Sequence, residues 1–294
     1  RRQGRARHRR AAHDARPVTG PAPLSTAQLL GLSITRRRPV DHDPRTPTVV
    51  LVHGAMDRAA SFGRSMRRMG HLDVVAYDRR GYGASVDAGP PGRIADHAAD
   101  LAAVIDWTGA ATVVVVGHSL GGTVGASLAV TGSPRVAALA AFESPFPVLD
   151  DSFDQVGGGA VQIGASQGAA DGAEHFYRLM VGDHTWSRLR ERDRAARRAE
   201  GPALMAELAD LRIRERAVDP ADLDLPLLVG MGGLSSDRMR SGAALLAATA
   251  PIAQLDEIAN AGHGAHLTHP DEFARYCDDA VALASVPQAP GDGS

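Results

Sequence analysis

The 294-residue sequence predicts an α/β fold in which helices flank a mostly parallel sheet. First, short apolar runs rich in valine and leucine recur along the chain, as in strands that are buried on both faces. Second, segments with helical spacing lie between these runs, which is typical of parallel strands joined by crossover helices. Third, 44% of the residues are hydrophobic, enough for one large core in a chain of this length.

Six segments have the composition of buried strands. They are, in chain order, 48–52, 73–77, 112–116, 136–142, 225–229 and 252–256. Four further segments have apolar residues at helical spacing, at 94–108, 121–130, 237–250 and 271–284. Each of these predicted helices follows a predicted strand, so the pattern predicts right-handed βαβ units.

The stretch from about 145 to 224 interrupts this alternation, and we interpret it as a helical cap inserted between two strands of the sheet. Its residues 154–172 are rich in Gly, Ala and Gln and predict a loop. Residues 172–181 and 186–216 are predicted to be helical, and the dense charges of 188–198 predict a solvated helix face.

Both ends of the chain are predicted to be disordered. Residues 1–24 form a basic arm that carries seven Arg and two His in its first 16 residues. Such an arm could contact nucleic acid or anionic lipid, but a solvated tail is the commoner case. Residues 287–294 are rich in Pro and Gly, which leaves 25–286 as the folded domain.

The composition indicates neither a nucleic-acid partner nor a membrane partner. The net charge is −2, and no apolar run approaches the ~20 residues of a membrane span. The single cysteine, Cys277, excludes an intramolecular disulfide and fits a reducing, cytoplasmic location; its helical context predicts a buried side chain. No metal, nucleotide or flavin motif is present, so we expect a small-molecule substrate and no cofactor, and nothing indicates an oligomeric state.

Ser119 lies between a predicted buried strand and a predicted helix. The valines of 113–116 are followed directly by the run Gly117-His118-Ser119-Leu120-Gly121-Gly122. The G-x-S-x-G spacing predicts a sharp turn in which the serine takes strained backbone angles. Gly117 and Gly121 have no Cβ to collide with the neighbouring strand and helix. The serine oxygen would then stand above the carboxyl ends of the strands, where open α/β sheets bind ligands.

With this motif the sequence resembles the α/β-hydrolase superfamily, and more narrowly its small single-domain serine hydrolases with a G-H-S-x-G-G elbow. Three further motifs, each after a predicted strand, carry the resemblance: His53-Gly54-Ala55-Met56, Asp78-Arg79-Arg80-Gly81-Tyr82-Gly83-Ala84-Ser85 and Ala261-Gly262-His263-Gly264. Their order and spacing extend over residues 45–285. The resemblance implies the α/β-hydrolase fold and a catalytic triad of serine, histidine and acid.

The resemblance also implies a role for each of five residues. Ser119 would be the nucleophile, and His263 would be the general base that takes its proton. The backbone N–H groups of Ala55 and Leu120 would form the oxyanion hole, and His53 would brace the loop that carries the first of them.

Two neighbouring histidines, His266 and His269, are rivals of His263 for the role of base. The H-x2-H-x2-H spacing could also indicate a metal site. We expect no metal, because the Gly262-His263 context already accounts for the first histidine.

The acid of the triad is open between two residues. In most of the superfamily it stands about nine residues after the proline of strand 225–229, where this chain has Ser235, which cannot stabilise an imidazolium as a carboxylate does. Asp237 lies two residues later. Glu143 follows strand 136–142 and is similar in context to the acid of a group of haloalkane dehalogenases. We favour Glu143, for which the alternative role is an ion pair at the cap hinge.

A serine nucleophile indicates acyl chemistry, through an acyl-enzyme, on a small and mainly apolar ester, thioester or lactone. Dehalogenation and epoxide hydrolysis are disfavoured because they need an aspartate nucleophile. Two alternatives stay open: the same fold in another role (C–C bond hydrolysis, cofactor-free perhydrolysis or a lyase step) and a binding protein without catalysis. Met56, Phe146 and Phe176 are expected to line the substrate pocket.

Overall fold

The sheet dominates the computed structural model, which describes residues 24–149 and 152–285, the side chains of 152–156 excepted. The described part has eight strands: Leu24–Leu29 (β1), Leu32–Arg37 (β2), Thr48–Val52 (β3), Val74–Tyr77 (β4), Val113–His118 (β5), Val136–Phe142 (β6), Leu227–Gly232 (β7) and Ala253–Ile258 (β8). Their order is β1-β2-β4-β3-β5-β6-β7-β8. Strands β3 to β8 run parallel to one another, whereas β2 pairs antiparallel with both β1 and β4. The predicted α/β fold with a mostly parallel sheet is confirmed.

The hairpin of β1 and β2 at one sheet edge was not predicted. Its turn residues Leu30 and Gly31 have φ of 53° and 83°, which is the backbone of a two-residue hairpin turn. Leu32 and Ile34 point inward and are buried, while Ser33 between them is only half-buried. This alternation of apolar and polar residues could have predicted the strand from the sequence, but it is a weaker signal than the fully apolar runs of the parallel strands. Leu24, assigned above to a disordered arm, begins β1; residues 1–23 and 286–294 lie outside the described part of the chain.

Helices cover both faces of the sheet and form the cap. Their bounds are Gly63–Arg68 (α1), Ile94–Thr108 (α2), Leu120–Val130 (α3), Ser152–Gln167 (α4), Ala169–Val181 (α5), Asp183–Arg188 (α6), Glu191–Ala199 (α7), Gly201–Leu211 (α8), Asp237–Thr249 (α9), Ala265–Thr268 (α10) and Pro270–Ala284 (α11). The four helices predicted between strands are confirmed to within one residue at each end. No helix in the described ranges is long and apolar enough to cross a membrane.

Successive residues of the central strand β5 face opposite layers of the core. Val113 and Val115 pack in the layer that contains α2 and α3, whereas Val114 and Val116 pack in the layer that contains α1 and α11. All four valines are fully buried. A strand that is covered on both faces must be apolar at every position, which explains why its sequence shows no polar alternation.

The cap lies between β6 and β7 and consists of the helices α4 to α8. The prediction of a loop over 154–172 is wrong, because this segment is helical. Most of that segment is helix α4, and the rest begins α5. A Cβ on Gly164 would lie 2.3 Å from the sulfur of Met205, and one on Gly172 would lie 2.7 Å from the carbonyl oxygen of Ala160. The small residues therefore allow α4, α5 and α8 to pack closely, and this packing outweighs the weak helix propensity of glycine.

A buried carboxylate, Glu207 on α8, ties the cap to the sheet domain. Its Oε1 lies 2.5 Å from Nη1 of Arg79 and 2.7 Å from Nε2 of His97, and its Oε2 accepts a hydrogen bond from the Tyr82 hydroxyl at 2.7 Å. Burial alone would raise the pKa of Glu207, but the charge of Arg79 and the contact with His97 lower it to about 2. The carboxylate is thus charged, and it compensates a guanidinium that is itself fully buried.

Candidate active site

Ser119 occupies the sharp turn between β5 and α3. Its φ of 52° and ψ of −128° are strained angles for a serine. A Cβ on Gly117 would lie 2.2 Å from the backbone nitrogen of Gly122, and one on Gly121 would lie 2.0 Å from the carbonyl oxygen of Val52. The expected reason for both glycines, lack of space for a side chain beside helix and strand, is confirmed.

His263 is held by Glu143 on the opposite side of the same pocket. Its Nδ1 lies 2.7 Å from Oε2 of Glu143, whose side chain is fully buried. Because a carboxylate can only accept, Nδ1 carries the proton and Nε2 presents its lone pair, as a general base requires. No hydrogen bond joins His263 to Ser119, although both residues line the pocket; such bonds often tighten only when substrate is bound.

Glu143 is fixed by more than the histidine. It has a φ of 47°, and its Oε1 accepts a hydrogen bond of 2.8 Å from the backbone N–H of Gly232 at the end of β7. Burial alone would raise the pKa of Glu143, but His263, Ser235 and this N–H together lower it below its usual value of 4.5. The carboxylate is therefore ionised at neutral pH. The Ser235 hydroxyl lies near it but makes no hydrogen bond of normal geometry within the described residues.

Asp237, the other candidate acid, is not brought to the histidine. Its side chain is 92% exposed and pairs with Arg240 on the next turn of α9. Ser235, in contrast, is buried beside Glu143. The loop after β7 and the end of β6 therefore converge on one point, and in this chain the carboxylate comes from β6.

The loop after β3 approaches the nucleophile from the other side. A Cβ on Gly54 would lie 2.8 Å from the Cβ of Ser119, so only glycine allows this approach. Ala55 and Leu120 both line the pocket. Within the described residues, neither backbone N–H donates to a protein acceptor, because Leu120 is the first residue of α3 and Ala55 lies in a turn. Both donors are free to bind an oxyanion.

Arg79 holds this loop in place from below. Its guanidinium donates to the carbonyl oxygens of His53 at 2.9 Å and Gly54 at 3.0 Å, and its backbone N–H donates to Nε2 of His53 at 2.9 Å. Burial, and then the charge of Arg79, lower the pKa of His53 to about 3, so this histidine is neutral. It braces the loop and does not reach the pocket.

The pocket above Ser119 is narrow and mainly apolar. Its cavity volume is about 70 Å³. Of the three expected binding residues, Phe146 and Phe176 lie in its wall. Met56 does not, because its side chain is buried in the apolar cluster under the cap that also contains Tyr82 and Phe176. The remaining wall comes from Ser144, Pro145, Leu149, Met180, Arg238, Met239, Gly242 and Ala243.

Comparison with known proteins identifies the family to which this fold belongs. Residues 49–276 match the model of the "Alpha/beta hydrolase family". The chain belongs to that family. It is 36% identical over 112 residues to Lipase LipV of Mycobacterium tuberculosis (strain ATCC 25618 / H37Rv), an alignment that covers 38% of this chain and 42% of the relative.

Two further similarities show the breadth of the family. Epoxide hydrolase A of the same M. tuberculosis strain is 33% identical over 128 residues, covering 41% of this chain and 39% of the relative. The chain spans about two fifths of the length of the first curated relatives it matches. The crystal structure of the enol-lactonase from Burkholderia xenovorans LB400 has 20% identity and a TM-score of 0.63, covering 88% of this chain and 100% of that chain; this similarity shows the fold alone.

A cluster of polar side chains behind the pocket was not predicted. Asp57, His118 and His266 each place one ligand atom within 4.8 Å of the others. His266 Nε2 lies 3.1 Å from Asp57 Oδ2, and the Nε2–H of His118 donates to the backbone carbonyl of His263 at 2.7 Å. His269 is half-buried, and its Nδ1 lies 2.9 Å from the Thr268 hydroxyl. His118 thus positions the backbone of His263, and the three histidines of the H-x2-H-x2-H run form no common group of candidate metal ligands within the described residues.

Hydrogen bonds and burial set the charges of this cluster. Burial alone would raise the pKa of Asp57, but its hydrogen bond with His266 lowers it below its usual value. Burial, and then the neighbouring histidines, lower the pKa of His118, so that ring is neutral. The Nδ1 atoms of His118 and His266 have no hydrogen-bond partner within the described residues.

Proposed function

We propose that this α/β hydrolase is a serine hydrolase that cleaves a small, mainly apolar ester, thioester or lactone. The observation that carries the proposal is the 2.7 Å contact between His263 Nδ1 and the buried carboxylate of Glu143, on a pocket whose floor is the strained Ser119. A purely structural histidine would need no ionised partner that fixes its lone pair toward a cavity.

The reaction would run in two halves. With the substrate carbonyl above Ser119, Oγ attacks the carbonyl carbon while His263 Nε2 takes the hydroxyl proton. The carbonyl oxygen becomes an oxyanion that accepts hydrogen bonds from the N–H groups of Ala55 and Leu120. Glu143 stabilises the imidazolium that has formed. The tetrahedral intermediate collapses, and the departing alcohol or thiol takes the proton from Nε2, which leaves an acyl-enzyme on Ser119.

Water completes the cycle by the same steps. His263 removes a proton from a water molecule, which attacks the acyl carbon, and the second tetrahedral intermediate releases the acid and regenerates the Ser119 hydroxyl. A short acyl group suits the narrow pocket, whose Phe146 and Phe176 side chains favour apolar chains. The name of the relative Lipase LipV, which describes ester chemistry, also supports this reaction class.

Labelling with a fluorophosphonate tests the proposal directly. We expect one adduct, located on Ser119 by peptide mass spectrometry, together with hydrolysis of 4-nitrophenyl butyrate. Both are expected to be lost in Ser119→Ala and in His263→Ala. Ser166→Ala, which removes an exposed cap serine, is the matched control and should label like the wild type. Absence of an adduct on the folded wild-type protein would contradict the proposal and favour a binding protein.

A further inference from the structure

Arg238 introduces a positive charge into the wall of the apolar pocket. It lies in the first turn of α9, after the carboxyl end of β7, and is half-buried. Among the described residues that line the pocket, it alone carries a permanent positive charge. No sequence motif singled out Arg238, but the first turn of a helix that follows a parallel strand is where α/β folds place binding residues.

Arg238 has no partner among the described residues. No hydrogen bond or ion pair joins it to any of them, whereas its neighbour Arg240 pairs with Asp237 and donates to the carbonyl oxygen of Gly233 at 3.0 Å. The two arginines stand two positions apart on one helix, yet of the two only Arg240 is engaged by other described residues. Since a guanidinium has five donors and stays charged, the Arg238 group is available to a ligand.

No acidic group among the described lining residues compensates this charge. Glu143 is the one carboxylate among them, and both of its oxygens are engaged, Oε1 by the N–H of Gly232 and Oε2 by His263. Asp237 is directed to solvent. A substrate carboxylate that entered the pocket would therefore meet Arg238 without displacing a partner that belongs to the described part of the chain.

We propose that Arg238 binds a carboxylate of the substrate, so that this hydrolase prefers an ester, thioester or lactone that carries an anionic group on an otherwise apolar chain. This inference rests on the proposed function and specifies its substrate class. A planar guanidinium can donate two parallel hydrogen bonds to a carboxylate, and such charge-assisted bonds are the strong ones. The apolar wall of Phe146, Phe176 and Met180 would contact the methylene groups that separate the carboxylate from the reacting carbonyl.

Matched esters that differ only in charge test the preference. The pairs are 4-nitrophenyl hydrogen adipate with its methyl ester, and the corresponding glutarates, corrected for spontaneous hydrolysis. A second pair, butyryl glycolate and its methyl ester, carries the charge on the alcohol side and is followed by pH-stat. We expect a kcat/KM at least tenfold higher for the acid in one of the sets. Arg238→Met should lower that value about 10- to 100-fold and thereby remove the preference for the acid over the neutral ester.

Two further variants separate charge from structure. Arg240→Met removes the neighbouring charge and should leave the preference unchanged, while Arg238→Lys should recover part of it, because lysine keeps the charge and loses the bidentate geometry. Equal losses on charged and neutral esters in Arg238→Met, or a wild-type preference for the neutral esters in every set, would overturn the proposal.

A binding measurement keeps the inference separate from the proposed catalysis. Calorimetry with hexanoate and hexanamide on Ser119→Ala, with and without Arg238→Met, needs no turnover. Tighter binding of hexanoate that is lost in the double variant supports the carboxylate site even if no ester is cleaved. Equal binding of the two ligands would refute it, even if Ser119 is labelled and neutral esters are hydrolysed.

Discussion

Replacing Glu143 with glutamine alters the proposed triad with the least change in shape. The glutamine oxygen can still accept from the N–H of Gly232, while its NH₂ group takes the place of Oε2 and faces His263. Because NH₂ can only donate, it requires an unprotonated Nδ1, which moves the proton to Nε2. The histidine would then present a proton, instead of a lone pair, to Ser119.

The size of the effect follows from the contact itself. Two charges about 4 Å apart in an effective dielectric of about 20 attract by about 4 kcal/mol, which is roughly the stabilisation that the imidazolium loses. This energy corresponds to about a thousandfold in rate. The wrong tautomer adds to the loss, and equivalent amide substitutions in serine triads lower kcat by about 10⁴. We therefore expect kcat of Glu143→Gln to fall by ~10³ to 10⁴, with KM changed little.

The assay is hydrolysis of 4-nitrophenyl butyrate, with thermal unfolding to confirm that the variant is folded. Asp237→Asn is the matched control: it changes the other candidate acid, whose side chain is 92% exposed, and should keep kcat within twofold. If Glu143→Gln retained more than a tenth of wild-type kcat while Asp237→Asn lost a hundredfold, the assignment of the acid would be refuted.

Moving the carboxylate from position 143 to position 235 tests whether both positions can serve His263. Ser235 is buried beside Glu143, so an aspartate at 235 would extend toward His263 from the end of β7. We expect Glu143→Ala/Ser235→Asp to be at least tenfold more active than Glu143→Ala alone. The same activity in both variants would show that the two positions do not serve one histidine.

Two predictions concern stability, each measured by denaturant unfolding. Glu207→Gln leaves the buried Arg79 without its counter-charge and should cost about 3–5 kcal/mol, against less than about 0.5 kcal/mol for the exposed control Glu191→Gln. Because the folded pKa of Glu207 is about 2 against a usual 4.5, its stabilisation is present above pH 4.5 and lost as pH falls toward 2; the loss should be smaller in Glu207→Gln. Gly121→Ala should unfold the protein or destabilise it by more than about 3 kcal/mol, because the new Cβ would lie 2.0 Å from a backbone oxygen, whereas Gly242→Ala has open space and should be neutral or stabilising.

Each stability prediction has a result that would contradict it. Equal destabilisation by the Glu207 and Glu191 substitutions would mean that the buried ion pair does not anchor the cap. A Gly121→Ala protein as stable as the wild type would mean that the elbow can open, and the strained geometry of Ser119 would then not depend on that glycine.

The sequence by itself determined the six parallel strands, the helices between them and the elbow, but not the edge hairpin of β1 and β2. The run of valines in 113–116 predicted a strand covered on both faces, because its short length and its β-branched residues favour a buried strand over a buried helix. The turn around Ser119 could be predicted from the sequence because its glycines, strand and helix are neighbours in the chain. The cap was located by the break in alternation, but its first helix was missed, since glycine-rich segments become helical only through packing that the sequence does not display.

Tertiary structure alone decided which acid faces His263 and which charge enters the pocket. Glu143 and His263 are 120 residues apart. They meet because Glu143 follows β6 and His263 follows β8, and these two parallel strands lie on either side of β7 and end at the same edge of the sheet. Arg238 and Arg240 are indistinguishable by composition, yet the turn of α9 directs one into the pocket and the other onto Asp237. Strand burial and turn geometry depend on residues that are adjacent in the chain, so they can be predicted from the sequence. The partner of a side chain depends instead on which strand ends and helix faces the fold brings together.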